Sequence, residues 1–290
     1  MRNSVVLDAW YPILAADEMP RGGRRATTLL DTTLLIERTH AGAFTVLAQD
    51  SSEARNGAPA LPLLEHYGYL WTTLGRPTDP LFSIPEYTEP DRRNMNGASL
   101  AVRASAPRVV ENFLDLGHFA MVHTGYLGIE PHTEIKPYKV SVRPREILAT
   151  ECIVYQPLAA LSAKSGQDVE YTYRVPHPYC AILYKSCAID AARRDVIGIF
   201  VQPVTEVSCI AHMFLCMLDT DNSDADMKAW QQVIFGQDKP ILENQIPARL
   251  PLSPTAEISI RADATSAAYR RWLCDNEVRY GTLWPESTNE

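Results

Sequence analysis

The chain has 290 residues, 46% of them hydrophobic and 21% charged, enough for one large or two modest domains with a buried core, which excludes a disordered or fibrous protein. Lys plus Arg number 27 against 35 Asp plus Glu, a net charge of -8, and that balance argues against a nucleic-acid binder or a polybasic membrane-surface protein. No run approaches about 18 consecutive apolar residues and no apolar stretch at the N-terminus ends in a small-residue cleavage site, so the sequence reads as cytoplasmic.

Residues 1 to about 90 read as β-rich, with strand-like runs over Thr27 to Arg38, Ala43 to Ala48 and Leu64 to Leu74 and no helix of any length. Pro77, Pro80, Pro85 and Pro90 break any continuous element there and mark a crossing between domains. From Ala106 the apolar residues Val109, Val110, Phe113, Leu114 and Leu116 fall at helical spacing, with Gly125 as a stop. Residues 135–218 alternate again and suit about five antiparallel strands in one sheet. Ser223 and Asp226 resemble a capping box opening a helix that turns Met227, Trp230, Ile234 and Phe235 inward. Pro240 should kink or restart that helix near Gly236 to Asp238. A last helix is expected over 264–275, burying Tyr269, Trp272 and Leu273. The six cysteines all lie at or after Cys152 without a CxxC pair, as suits reduced, mostly buried thiols.

The chemistry concentrates in Glu111 to His123, where Asp115 precedes His118 by three positions and His118 precedes His123 by five. On a straight helix five positions turn the two rings about 140° apart, so they converge only if the helix bulges or ends between them. Gly117 and the pair Thr124 and Gly125 supply the looseness this needs. Two imidazoles and a carboxylate on one side of a metal leave the opposite positions open, the arrangement of non-haem Fe(II) oxygenases. Asp238, at the expected kink, is the best candidate for the third ligand. A plain reading stands beside this one: a His pair on an apolar helix also suits satisfied core histidines, and Asp238 alone suits an N-cap. Gln231, seven residues before Asp238 and so on the same helix face, could offer an amide to a substrate or simply be solvated. Glu111 and Asn112 suit either hydrogen bonds behind the histidines or a helix cap, and Phe113, Phe119 and Met121 read as core.

Glu111 to His123, the later Gln237 to Gln245, the early Trp10-Tyr11-Pro12 and Tyr67 to Trp71, taken together and in this order, resemble the oxygenase component of Rieske non-haem iron oxygenases. The likeness spans nearly the whole chain and is densest in the branch of vanillate and dicamba O-demethylases and bacterial methylxanthine N-demethylases. Phe235 to Gln245, Ala262 to Thr265 and Tyr269 to Leu273 look most like the methylxanthine members. The resemblance implies an α+β fold: a remnant β Rieske-type domain without its cluster over 1–95, then a helix-grip catalytic domain over 96–290, in which an antiparallel sheet wraps a C-terminal helix. It implies a mononuclear Fe(II) held by His118, His123 and Asp238, with Asp115 as the catalytic bridge toward a Rieske cluster.

One departure is informative. A Rieske [2Fe-2S] centre takes two Cys and two His ligands, yet no cysteine precedes Cys152, and His40 and His66 lack partners in the segment between Ala48 and Leu64 where the family carries its cluster loops. Cluster-less members of the methylxanthine branch receive electrons from a reductase that carries an extra Rieske domain. The resemblance therefore implies O2 and NADH-derived electrons delivered by such a partner reductase, a possible additional assembly subunit, a trimer-based oligomer, and a small heteroaromatic substrate. The implied reaction is oxidative N-demethylation of a methylxanthine, 7-methylxanthine to xanthine plus formaldehyde. Two alternatives remain at this point: the same chemistry on another aromatic or O-methyl substrate, and a non-catalytic binding or assembly subunit.

Overall fold

The computed structural model describes residues 3–49, 60–77, 79–161, 163, 165–187 and 189–285. A four-residue helix α1 (Ser4–Leu7) precedes two small antiparallel sheets. One orders β1 (Tyr11–Ala15), β6 (Tyr69–Thr72) and β5 (Leu63–His66); the other orders β2 (Arg24–Leu29), β3 (Thr32–Arg38) and β4 (Phe44–Ala48). The run Thr27 to Arg38 is thus two strands, reversed at Leu30 and Asp31, which both take positive φ (50° and 61°). Consecutive left-handed residues match the right-handed twist of the flanking strands, so such a turn closes a hairpin without splaying it. Tyr67 and Gly68 do the same between β5 and β6. The segment between Ala48 and Leu64, singled out for its missing cluster ligands, lies largely outside the described residues.

The large sheet has seven strands in the order β7 (Arg93–Val102), β13 (Ser208–Met217), β12 (Arg194–Thr205), β11 (Cys180–Ser186), β10 (Gln167–His177), β9 (Glu146–Gln156) and β8 (Lys139–Arg143), antiparallel throughout. The expectation of five is corrected in two places. The first run divides at Pro144 and Arg145 into β8 and β9. The extra edge strand β7, rich in Asn, Gly, Ser and Ala, lacks the β-branched alternation that signals a strand and is held by its ladder with β13. Its pairing is a tertiary contact more than a hundred residues away in sequence.

Alternation along β11 and β12 sends odd-numbered residues (Ala181, Leu183; Ile197, Ile199, Val201) to the inner face and Cys180, Ile182, Val196 and Phe200 to the outer one. In β9 a bulge at Glu151 (φ 61°) shifts the register, so that Ile147 and Ala149 before it and Cys152 and Val154 after it all face inward. The outer face packs on Tyr67, Tyr69 and Trp71 of the N-terminal sheets. The inner face packs on α2 (Ala106–Leu114), α4 (Asp224–Glu243) and α5 (Ala264–Asp275). A one-turn helix, α3 (Phe119–Val122), lies between α2 and the sheet strands in sequence. A parallel pair, β14 (Leu250–Pro251) and β15 (Thr282–Leu283), closes the C-terminal part. The chain is an α+β protein with a sheet gripping a long helix.

Ser223 accepts from the Asp226 N–H and Asp226 reciprocates, so the capping box opens α4 as expected. Pro240, however, sits inside an unbroken α4. Lacking an N–H, it leaves the Gly236 carbonyl without an intrahelical donor, and the helix nonetheless continues through it. Tyr269, Trp272 and Leu273 are the buried face of α5, whereas Met121, read as core, is 65% exposed because α3 is too short to present a second buried stripe. The six cysteines are free, five buried and Cys274 half-buried. Among the described residues no helix is long and apolar enough to cross a membrane.

Candidate metal centre

The helix α2 stops at Leu114 because Asp115 takes an extended backbone (φ -81°, ψ 124°) and its Oδ1 accepts the Gly117 N–H at 2.7 Å. A short polar side chain that bonds its own backbone two residues on offers an alternative to the helical hydrogen bond, and here it wins. The two histidines flank the one-turn helix α3, His118 as its N-cap and His123, off helical dihedrals (φ -108°, ψ 35°), as its C-cap. Their Nε2 atoms face each other at 3.1 Å. Asp238, on the inward side of α4, brings its Oδ1 to 3.3 Å from His118 Nε2 and 3.1 Å from His123 Nε2. All three side chains are largely buried.

The surroundings settle the tautomers. His118 Nδ1 donates to Asp115 Oδ2 at 3.0 Å and His123 Nδ1 donates to Gln237 Oε1 at 2.8 Å. With both Nδ1 atoms carrying protons, both Nε2 lone pairs point at each other and at a carboxylate oxygen. Three acceptors this close repel unless a proton or a metal cation lies among them. Burial disfavours a charged His118, but the hydrogen bonds to Asp115 and Asp238 outweigh it and hold the ring up at about 9. Burial likewise lifts Asp238, and its bonds to His118 and His123 outweigh that and leave it below the ordinary carboxylate range. The centre favours positive charge. Two imidazoles and one carboxylate on a single side, with the outer nitrogens anchored, suit a divalent iron with open positions. Among the described residues this is the one group of three or more His, Cys, Asp or Glu side chains whose ligand atoms converge in this way.

Two supporting residues emerge. Gln237 neighbours Asp238 in sequence, yet only the fold shows that it reaches His123. Asn112, left open between two roles, extends its Nδ2 to Asp238 Oδ1 at 3.4 Å, a long contact that can steady the carboxylate. Glu111 instead pairs with Arg270 of α5 at 2.5 Å and stands apart from the triad. Phe119 is buried and edges against both His118 and His123, and Phe113 packs half-buried on Tyr173. Gln231 lines a pocket between α4 and the inner sheet face with Met227, Trp230, Leu215 and Lys185. From that pocket a run of ring contacts leads back to the triad: Lys185 Nζ lies 6.0 Å from the Tyr171 ring, Tyr171 lies 6.1 Å from Phe119, and Phe119 lies 5.9 Å from His123.

Residues 102–277 match the family of the vanillate O-demethylase oxygenase C-terminal domain. The chain belongs to the Rieske oxygenase family. It is 43% identical, over 97% of its own length and 98% of the other, to a probable methylxanthine N7-demethylase of Pseudomonas sp. (strain TJI-51). It is 26% identical to the methylxanthine N3-demethylase of Pseudomonas putida across 71% of this chain and 57% of that one. The structure of NdmA from Pseudomonas putida CBB5 with caffeine superposes with a TM-score of 0.75 at 20% identity, covering 94% of this chain and 92% of that one. Dicamba monooxygenase with non-haem iron and dicamba superposes with a TM-score of 0.67 at 17% identity over 94% and 97%. Both share the α+β fold of this Rieske oxygenase, and membership makes the chain an oxidative enzyme.

Proposed function

We propose that this chain is the terminal oxygenase of an N-demethylation, converting a methylxanthine, in particular 7-methylxanthine, to the N-unsubstituted purine and formaldehyde. The observation that carries this is the convergence of His118 Nε2, His123 Nε2 and Asp238 Oδ1 within 3.3 Å of one another at the inner face of the sheet. The 43% identity to a probable methylxanthine N7-demethylase supports the substrate class. His118, His123 and Asp238 would hold iron(II), which would supply the activation of O2. The net change consumes one O2, two electrons and two protons; the N–CH3 bond breaks, and formaldehyde and water leave.

The chain's own residues do the positioning. Asp115 fixes the His118 tautomer while its carboxylate stays about one third exposed (29%), open to an external electron donor. Gln237 fixes His123, and Gln231 offers an amide to the polar edge of a purine. No cysteine precedes Cys152, so in this reading the electrons originate in NADH and arrive from a partner reductase that carries its own Rieske domain. Residues 1–95 then serve as a reduced β-domain that buttresses the outer sheet face, and 96–290 as the catalytic domain in a cytoplasmic, trimer-based assembly.

The test is iron and acid-labile sulfide per chain on anaerobically purified wild type and Asp238→Ala, with formaldehyde release from 7-methylxanthine beside a Rieske-bearing reductase. About one iron and no sulfide are expected in the wild type, with iron and turnover both lost in the variant. Sulfide in the wild type would overturn the borrowed-electron reading, and an iron-free wild type would point to a binding subunit.

A further inference from the structure

The inner face of the large sheet is largely apolar. Lys185 of β11 and Asp195 of β12 sit directly opposite each other in the antiparallel register, both odd-numbered and therefore both inward. Both line the pocket under α4 together with Gln231. A half-buried charge pair often closes on itself, yet no ion pair joins these two among the described residues. Lys185 Nζ donates to the Ala159 carbonyl, and Asp195 Oδ1 accepts the Leu218 N–H at 2.9 Å. An ammonium has three N–H donors and a carboxylate about four acceptor sites, so each retains unused capacity toward the pocket. Partial burial lowers the lysine to about 8 and raises the aspartate. Such groups persist where something else offsets their desolvation.

We propose that Lys185 and Asp195 form the substrate-reading pair of this oxygenase: the ammonium donates to a ring carbonyl oxygen and the carboxylate accepts from the adjacent ring N–H. A donor beside an acceptor is the complement of a lactam edge, in which C=O and N–H are neighbours. The pocket thus selects heteroaromatic lactams that keep at least one unalkylated ring nitrogen next to a carbonyl, and it rejects fully N-alkylated ones, which leave Asp195 without a donor. This deepens the N-demethylase reading and rests on it. Contacts from Lys185 to the Tyr171 ring, from Tyr171 to Phe119 and from Phe119 to His123 link this side of the sheet to the metal centre.

The experiment is calorimetric binding of two probes, 7-methylxanthine, which has free ring N–H groups, and 1,3,7-trimethylxanthine, which has none, to the full-length iron-loaded protein. Wild type is expected to bind the first at least about tenfold more tightly, the range of a hydrogen bond to a charged group. Asp195→Leu should lose about tenfold or more for 7-methylxanthine and change less than about twofold for the trimethyl compound, while Lys185→Met, which removes the donor to a carbonyl that both probes carry, should weaken both, with Lys185→Arg recovering part of the loss. A merely structural role of Asp195 would weaken both probes together. Should Asp195→Leu lose iron or its circular dichroism, Asp195→Asn provides the same comparison, with the discrimination again expected to fall. Wild-type discrimination that survives in the folded Asp195 variants overturns the assignment of this pair alone. A wild type that binds neither probe overturns the methylxanthine reading itself.

Discussion

His123 on α3 and Gln237 on α4 are joined by a 2.8 Å bond between Nδ1 and Oε1, so the residue next to one metal-ligand candidate orients another that lies 114 positions earlier in the chain. One helix segment thereby supplies both a carboxylate and the acceptor that sets a histidine's tautomer. Gln237→Leu leaves the His123 Nδ1–H buried without an acceptor and is expected to weaken iron binding about 10- to 100-fold, whereas Gln237→Glu retains it. Titration of the metal-free protein with Fe(II) or Co(II) measures both. Equal affinity in Gln237→Leu and wild type would remove Gln237 from the centre.

Asp115→Ala separates metal holding from electron delivery. The three ligand atoms stay in place, but His118 loses the acceptor at 3.0 Å that fixes its ring. Turnover with a reductase is expected to fall by at least about 100-fold while iron content falls much less. Iron loss in proportion to activity would reduce Asp115 to a structural prop.

Proton and metal compete at His118. Its pKa is raised from 6.5 to about 9, so the ring is protonated at neutral pH in the metal-free protein and must release that proton to bind a cation. Apparent metal affinity should therefore rise by up to about tenfold per pH unit and level off above pH 9 as far as this group is concerned. The linked stability runs the other way. With the folded value above the unfolded one, the metal-free protein has the full His118 contribution below pH 6.5 and loses it as pH rises through about 9. Calorimetry in buffers of different ionisation enthalpy counts the protons released, and zero release would contradict the assignment.

Lys185 should cost stability. Its folded pKa is lowered from 10.5 to about 8, so the penalty is fully present below about 8 and relieved as pH rises toward 10.5. Lys185→Met is accordingly expected to stabilise the protein at pH 7, by up to about 3 kcal/mol before the lost bond to Ala159 is counted, and to give no advantage near pH 10.5. Thermal melts across this range check the sign. A variant less stable than wild type at pH 7 would mean that the ammonium supports the fold.

Arg108, 2% exposed, donates to Glu257 Oε1 at 2.6 Å and to the Pro247 carbonyl at 3.1 Å, tying α2 to the segment before α5. Arg108→Ala is expected to destabilise by about 3 kcal/mol because it strands a partner in a half-buried ion network that also includes Glu111 and Arg270. Denaturant unfolding measures this, and a loss under about 1 kcal/mol would show that Arg270 alone suffices.

Local chemistry written in the chain determined much of this protein. The capping box at Ser223, the buried stripe of α5 and the outward or inward alternation of the strands are short-range patterns, and the order of Asp115, His118, His123 and Asp238 already marked the candidate centre. What the tertiary structure decided are matters of long-range pairing and of competition between hydrogen bonds. Strand β7 exists through its ladder with β13, which no local propensity announces. Pro240 stays inside an unbroken α4, although it removes one helical donor. The helix ends at Leu114 because the Asp115 side chain captures the Gly117 N–H, and the two imidazoles meet Asp238 from the two ends of the short helix α3 that follows. Lys185 and Asp195 are unremarkable charges in sequence; only the register of β11 on β12 sets them side by side beneath α4, since a shift by one residue would have sent one of them to the opposite face of the sheet.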